Sequence, residues 1–469
     1  MAQKNKLIGN SISMLVNRLT QGIATFVLTA TIARTLGADA LGQYLLAINY
    51  YFIFVNLASQ GFKTLFTREL TRNPEIAPIY LVNGTLVQLV FGAIGYIAMA
   101  ILVYILPYSD RTSFTCYLMG IMIIPFALSN ITEAIFQAQE KMHLIAFSTV
   151  PIYVLRLLTI IWTLSLHYGL EYVVGILIVS ESLILIIQWI LLIPIVKPKW
   201  QIDIAFIWKA IETARTFFAL EGMGIIASRI DLLILSLLGS EALVGIYGAI
   251  GQLLQPYDIV SSSLALAAFP SMSKAVIESK AKQQQVTEHV IEILLCISLP
   301  FLVGILFIGD RLLLFIYQNP DFNDRAIILH IISLSLITAA FSRPFNYLLI
   351  ANGLEKLNLT EVVITTVLGG LTGIFLISQY KLMGAAFMSL AISFTNFSVM
   401  MFFVSTRLFH LRLLKIMYRP LLISFLMSLV FLLLEQINLN FLVTIGLASL
   451  FYTTIAGLLI PRKSGKISF

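Results

Sequence analysis

The chain has 469 residues, of which 59% are hydrophobic and only 11% charged, and its mean hydropathy is +0.94. A soluble surface needs roughly a quarter of its residues charged, so the about three soluble domains that this length would allow are excluded and the surplus apolar surface must face lipid. Thirty Lys and Arg against 23 Asp and Glu give a net charge of +7, a balance to be tested against membrane topology before it is read as a sign of nucleic acid.

In chain order, about fourteen runs reach the roughly 20 apolar residues needed to cross about 30 Å of hydrocarbon. Six lie near 10–34, 40–62, 79–106, 113–138, 144–167 and 171–195, and six near 209–238, 241–269, 287–308, 325–350, 358–379 and 383–406. Two more follow near 416–435 and 440–460, all with ends good to roughly two to four residues. The first run follows Lys4 and Lys6 as a signal peptide would. It is too long for one, carries Asn17, Arg18 and Gln21, and lacks a small-residue cleavage site, so it reads as a retained span.

With the amino terminus in the cytoplasm, twenty of the thirty cations fall inside and only Arg34, Arg111, Arg311, Arg325 and Lys381 outside. That asymmetry predicts an even number of crossings with both termini cytoplasmic, and it explains the positive charge without a nucleic-acid partner. No loop is long enough for a folded domain. Segments 195–208 and 271–289 are short, basic and cytoplasmic, and the first, with Trp and Ile around Lys197 and Lys199, reads as an interfacial connector between two bundles. Cys116 and Cys296 lie in apolar runs and read as small buried hydrophobes.

The chain also repeats itself 202 residues apart. "LGADALGQY" (Leu36 to Tyr44) follows the first span and "LGSEALVGIY" (Leu238 to Tyr247) the seventh, with Gly22 and Gly224 each fifteen residues before the leading glycine. Both copies mark the turn between an odd and an even span, which predicts duplication of a six-span unit and two parallel repeats. In each turn a glycine ends one helix, an acidic residue (Asp39 or Glu241) begins the next, and the second glycine allows close packing.

Charges within spans need an explanation, because each costs roughly 3 kcal/mol or more at the bilayer centre. Asn10, Asn17, Gln21 and Thr25 recur at helical spacing in the first span with Arg18 beside them. Such a stripe either lines a water-filled cavity or makes helix contacts, and Arg18, about 12 Å in from the span's end, favours the cavity. The seventh span carries Arg215, Glu221, Arg229 and Asp231. On a continuous helix Arg215 and Arg229 fall within roughly 40° of one face, while Asp231 points roughly 200° from Arg229 and would pair with a cation on another span.

Arg156, Glu181, Asp258 and Arg343 are the remaining deep charges, open to either functional or ion-pairing roles. Glu133, Glu212, Glu292 and Glu361 lie nearer the cytoplasmic ends, within reach of the interface. Pro125, Pro151, Pro256, Pro300 and Pro344 mark hinges or packing kinks, and Gly369 to Gly373 has the small-xxx-small spacing of close helix contact.

No phosphate-binding GxxxxGK[ST] loop is present and no segment has room for a nucleotide-binding domain, which excludes an ATP-driven pump in one chain. His143, His167, His289, His330 and His410 show no metal-ligand spacing, so no metal or organic cofactor is expected. The short outer loops also argue against a membrane enzyme.

The stretches "NRLTQGIATFVLTATIARTLGADALGQY", "GFKTLFTREL", "RIDLLILSLLGSEALVGIYGAIGQL" and "NYLLIANGLEKLNLT" together resemble the polysaccharide-transporter branch, the Wzx-type oligosaccharide flippases, of the multidrug, oligosaccharidyl-lipid and polysaccharide exporter superfamily. The resemblance spans essentially the whole chain. It implies an all-α polytopic membrane fold of two six-helix bundles around a central cavity, residues 1–200 and 201–408, with residues 409–469 as two appended helices and a cytoplasmic tail. It implies a secondary transporter in a prokaryotic cytoplasmic membrane that flips a polyprenyl-pyrophosphate-linked glycan by alternating access. Arg18, Arg215 and Arg229 would engage the pyrophosphate with Asn17 and Gln21 nearby, followed by Arg156 and Arg343. Asp231, Glu221, Asp258 and Glu181 would hold those arginines or bind a coupling proton or sodium ion. Membrane lipids and other polysaccharide-assembly proteins complete the expected partners. The alternatives are a multidrug-type exporter of organic cations and a membrane glycosyltransferase or polymerase.

Overall fold

The computed structural model describes residues 2–436 and 441–459, without the side chains of 2–8, 11, 60, 215–221, 223, 436, 442 and 456–459. Among the described residues there are sixteen α-helices and no strand. They are α1 (Ala2–Arg72), α2 (Ala77–Ile105), α3 (Asp110–Gly120), α4 (Ile123–Ala138), α5 (Met142–Ser165), α6 (Leu170–Leu192), α7 (Ile204–Ala227), α8 (Ile230–Leu238), α9 (Glu241–Gln252), α10 (Gln255–Glu278), α11 (Lys280–Tyr317), α12 (Ala326–Ser333), α13 (Ser335–Ala351), α14 (Glu355–Arg407), α15 (Leu413–Gln436) and α16 (Phe441–Leu459).

These helices account for the fourteen expected runs. α1 holds the first two, folded back at Gly37, and α14 holds the eleventh and twelfth, folded back at Lys381. The fourth, seventh, eighth and tenth runs are each two helices end to end: α3 with α4, α7 with α8, α9 with α10, and α12 with α13. Proline explains two of the breaks. Pro125 and Pro256 sit in the first turns of α4 and α10, where a missing N–H costs nothing, whereas Pro151, Pro300 and Pro344 are inside α5, α11 and α13.

Among the described residues, ten stretches are long and apolar enough to cross a membrane, and large apolar side chains such as Ile97, Ile101, Leu158, Trp162, Leu371 and Phe375 stand exposed along them. That is the surface of a multi-pass membrane protein, where lipid replaces the buried core as the apolar solvent. One expectation is corrected. Segment 271–289 is no loop: α10 runs on to Glu278, and Ser279, accepting at 3.2 Å from the Lys282 amide, caps α11 from Lys280. Its Lys, Glu, Gln and Ala residues are good helix formers, so charge there marks helix ends rather than coil.

The chain divides into two compact units, Met1–Gly248 and Ala249–Phe469. The first takes in α7 and α8, which the sequence assigns to the second bundle, because α7 packs on the later half of α1. A Cβ on Gly222 would lie 2.6 Å from Leu57, and Ala210 and Ala214 join a buried cluster with Phe62, Phe66 and Ile131. The connector before α7 is tied down by buried Asn83, which donates to the Gln201 carbonyl at 2.9 Å and accepts from the Asp203 amide at 2.8 Å. In the second unit α10, α11 and α13 pack together, α13 packs on α14, and α15 and α16 line α11, with Phe307 stacked on Phe431 at 5.4 Å.

Candidate functional site

The repeated turns are built as the sequence predicts. Gly37 takes φ 85°, a region that favours glycine, and reverses the chain. Gly239 ends α8 with its amide 2.8 Å from the Leu235 carbonyl, and Glu241 begins α9. What the spacing did not reveal is that the two copies pack on each other. A Cβ on Gly42 would collide with the Glu241 carbonyl oxygen, and one on Gly245 with the Ala38 carbonyl oxygen.

Hydrogen bonds surround that crossing. Glu241 accepts from Gln43 Nε2 at 2.9 Å, from Ser109 Oγ at 2.5 Å and from Thr112 Oγ1. The Tyr50 and Tyr108 hydroxyls lie 2.7 Å apart, and Tyr108 reaches Ser236 Oγ at 2.8 Å. Three segments are thereby joined at the Gly37 end of the first unit. Ser109, whose hydroxyl accepts from the Thr112 amide at 3.2 Å as the N-cap of α3, carried a readable capping signal, although its second role toward Glu241 did not.

The polar stripe of the first span divides in two. Asn10 donates to the Glu140 carbonyl at 2.9 Å and accepts from the Met142 amide, and Asn17 accepts from Thr149 Oγ1 at 2.8 Å, so both fasten α1 to α5 and the turn before it. Arg18 and Gln21 are exposed, and among the described residues neither side chain has a hydrogen bond or ion pair. They lie across the helix from Ile12, Val16, Leu19 and Ile23, which are exposed as well, while exposed Leu15 stands about 60° from Arg18. At about 100° per residue the two faces are roughly opposite.

The seventh span departs from expectation at its centre. α7 stops at Ala227 and Arg229, at φ −127° and ψ 3°, stands before α8. The angles reckoned for Arg215, Arg229 and Asp231 on one continuous helix therefore do not hold, and the side chains of Arg215 and Glu221 lie outside the described residues. The Arg229 guanidinium sits 5.7 Å from the centre of the Phe52 ring. Asp231 accepts from the Leu232 amide at 2.8 Å and from the Tyr247 hydroxyl at 2.6 Å. A cation on another span is not among its described partners.

The other deep charges come together in pairs. Arg156 bonds Glu181 at 3.0 Å, with side chains only 10% and 9% exposed, and lies 4.7 Å from the Tyr153 ring centre. Arg156 borders a cavity of about 550 Å³ between α5 and α6 with largely apolar walls such as Leu155, Val179 and Leu183. Arg343 bonds the Asp258 carboxylate and, at 3.2 Å, its backbone carbonyl. It lines a polar cavity of about 280 Å³ with Thr338, Ser342, Asn346, Ser393 and Asn396.

Of the acids placed near the interface, Glu212 is exposed and the other three are engaged. Glu133 meets Lys63 at 2.5 Å and Glu292 meets Arg419 at 3.3 Å. Glu361 does not reach the interface at all: it is 3% exposed, held by Thr365 and Asn396. Gly369 and Gly373 admit Ile392 and Met388 from the returning half of α14, the close contact their spacing predicts. Both cysteines are buried and free.

The family model for polysaccharide biosynthesis proteins matches residues 7–276, more than half of the chain. The chain belongs to the polysaccharide biosynthesis protein family. No curated protein matches its sequence. Among solved structures this family member is similar to the lipid II flippase MurJ in an inward closed conformation, with a TM-score of 0.75 at 16% identity over 97% of this chain and 100% of that one. It is also similar to an inward-facing multidrug resistance MATE transporter of the MOP superfamily, with a TM-score of 0.64 at 11% identity over 83% of this chain and 95% of that one. A MOP superfamily transporter from Pyrococcus furiosus matches with a TM-score of 0.61 at 12% identity over 85% and 93%. The fold is therefore shared with these three transporters, as the sequence resemblance implies.

Proposed function

We propose that this polysaccharide biosynthesis family member is a secondary transporter that flips a polyprenyl-pyrophosphate-linked oligosaccharide across a prokaryotic cytoplasmic membrane, both termini lying in the cytoplasm. The observation that carries the reading is the exposed Arg18 and Gln21 face of α1, set across the helix from an apolar face that is exposed too. A membrane-spanning helix can show lipid one apolar side, but an arginine at that depth requires water or an anion on the other. A sugar headgroup needs the same wet path, since its hydroxyls would lose their hydrogen bonds in hydrocarbon. Guanidinium groups suit a pyrophosphate because they bind its oxygens in bidentate, charge-assisted fashion.

In this reading Arg18, Arg215 and Arg229 receive the pyrophosphate between lobes of residues 1–200 and 201–408. Arg156 and Arg343, each held by a carboxylate, shape the fold instead. The Gly42 to Gly245 crossing and the bonds to Glu241 form a closure at the Gly37 end, the outer end by the positive-inside rule, and alternating access parts it. An organic-cation exporter would need free acids in its path. Glu181 and Asp258 are paired with arginine and Asp231 is hydrogen-bonded, which leaves Glu361 as a described deep acid without a cation and weights the reading toward the anionic substrate.

The test is export of the lipid-linked headgroup in cells carrying Arg18→Ala or Arg229→Ala at normal protein level. Each is expected to reduce export at least about tenfold, one lost charge-assisted contact being worth roughly 1.5–3 kcal/mol. Full export by both variants overturns the assignment. Lengthening of the glycan by the purified protein supplied with labelled lipid-linked sugar would instead identify a polymerase.

A further inference from the structure

Glu133, Glu181, Asp258 and Glu292 each have a cation beside them. Glu361, in the outgoing half of α14, has two neutral donors instead. Thr365 Oγ1 donates to its Oε1 at 2.7 Å, and Asn396 Nδ2 from the returning half of α14 donates to the same oxygen at 2.5 Å. Asn396 also lines the polar cavity of about 280 Å³, together with Ser342 and Asn346. One turn before Glu361, Asn358 donates to Asn346 Oδ1 at 2.7 Å, while its own Oδ1 and Ser342 Oγ are buried without a partner. The carboxyl is thus one side chain away from a cavity whose walls hold unused hydrogen-bonding capacity.

The elements packed on α14 are α13 and α12. α13 brings Arg343, already engaged by Asp258, and Tyr347, whose ring packs on Phe269. α12 brings His330, roughly 20 Å further along the bundle at 1.5 Å per residue. The returning half of α14 has no charged residue between Lys381 and Arg407, and Glu355 and Lys356 are exposed at its start. An ionised carboxylate buried among these groups keeps its desolvation cost uncompensated, because two neutral hydrogen bonds to a single oxygen do not replace a cation or water.

We propose that Glu361 is a proton-binding site that is neutral in this conformation and couples proton movement to transport through the Ser342, Asn346 and Asn396 cavity. Loading takes a proton from hydronium in the cavity, reached past the Asn396 side chain, and places it on Oε2; release returns it to cavity water as hydronium and leaves the charge on Glu361. The coupling role rests on the transporter reading, whereas proton binding does not.

The experiment is infrared difference spectroscopy of the full chain in lipid, comparing acid with alkaline buffer, for the carbonyl stretch of a protonated carboxylic acid. Wild type should show the band, Glu361→Gln should lose it, and Glu361→Asp should shift it. The Asp variant keeps a carboxyl and so serves if the Gln variant fails to fold. A wild type without the band, a band unchanged in both variants, or a band that sodium chloride abolishes would overturn the proton site. Export in cells tests the coupling: Glu361→Gln should lose at least about tenfold, and full export alongside a lost band would overturn coupling alone. If wild type exports no headgroup while the band behaves as expected, the transporter reading fails and the proton site stands.

Discussion

Replacing Gly42 by Ala tests whether the crossing of the two repeated turns is a closure. The added methyl carbon would fall on the Glu241 carbonyl group, 2.5 Å from its carbon and 3.2 Å from its Cα. Carbon pairs settle near 3.5–4.0 Å, so the turns must part by about 1 Å. Both obstacles are backbone, which cannot swing aside as a side chain can. Overpacking of this kind costs about 1–3 kcal/mol. If the turns separate as the transporter opens at the Gly37 end, only the closed state bears that cost, and its population relative to the open state falls about 5- to 150-fold. The assay is the initial rate of disulfide formation between Gln43→Cys and Glu241→Cys, whose native side chains meet at 2.9 Å, measured in membranes with and without Gly42→Ala. The rate should fall, by up to the same factor according to how fully the closed state is populated in the parent. An unchanged rate in protein that melts as the parent does would refute the reasoning, because the crossing would then be static packing. Adding Gly245→Ala should cost less than a second full increment, since both methyls occupy one crossing.

Arg156→Leu leaves Glu181 buried and uncompensated and should lower the unfolding free energy in detergent by about 3–5 kcal/mol, while the double change Arg156→Met with Glu181→Leu should recover most of it. A double variant as unstable as the single one would show that the pair is not the cause. Asn83→Ala frees the Gln201 carbonyl and the Asp203 amide, so protease cleavage within residues 193–203 should rise in line with a loss of about 1–3 kcal/mol; an unchanged digestion rate would count against the tether. Gly369→Val places its Cβ 2.6 Å from Ile392 Cγ1 and should cost about 1–3 kcal/mol in thermal denaturation, with Ile392→Ala restoring part of the loss. No destabilisation there would mean that the two halves of α14 are loosely packed.

The spans were legible because lipid imposes a length and a composition that few other constraints disturb. Residues 271–289 were misread because charge marks the end of a membrane helix's apolar part, not the end of its hydrogen bonding. The pairing of Arg156 with Glu181 joins two neighbouring spans, and that of Arg343 with Asp258 joins residues 85 apart; no periodicity within one helix encodes either. Arg229 shows the opposite failure. The helix breaks at the residue itself, so a facing that assumes one continuous helix from Arg215 to Asp231 does not hold. Glu361 was misjudged by depth alone. A carboxylate near a span's end reaches the interface only if its helix face points there, and Glu361 points at the returning half of α14, fixed by the turn at Lys381 and by Gly369 and Gly373. The repeat was the more informative signal. It located the turns, named the second glycine as a contact point, and left unsaid only that the contact is with the other copy.

That contact bears on why the motif would persist in both halves. A turn that needed only to reverse the chain would require the first glycine. The second is required because two helix starts cross at backbone distance, and at such a crossing each copy constrains the other: a side chain at Gly42 excludes the Glu241 backbone as firmly as one at Gly245 excludes Ala38. Around it the bonds to Glu241 come from hydroxyl and amide groups rather than cations. Neutral donors of this kind exchange for water at modest net cost, whereas a buried ion pair such as Arg156 with Glu181 does not come apart cheaply. In the proposed transport cycle, ion pairing in the first unit would hold what stays together, and steric fit with neutral hydrogen bonds would close what has to open.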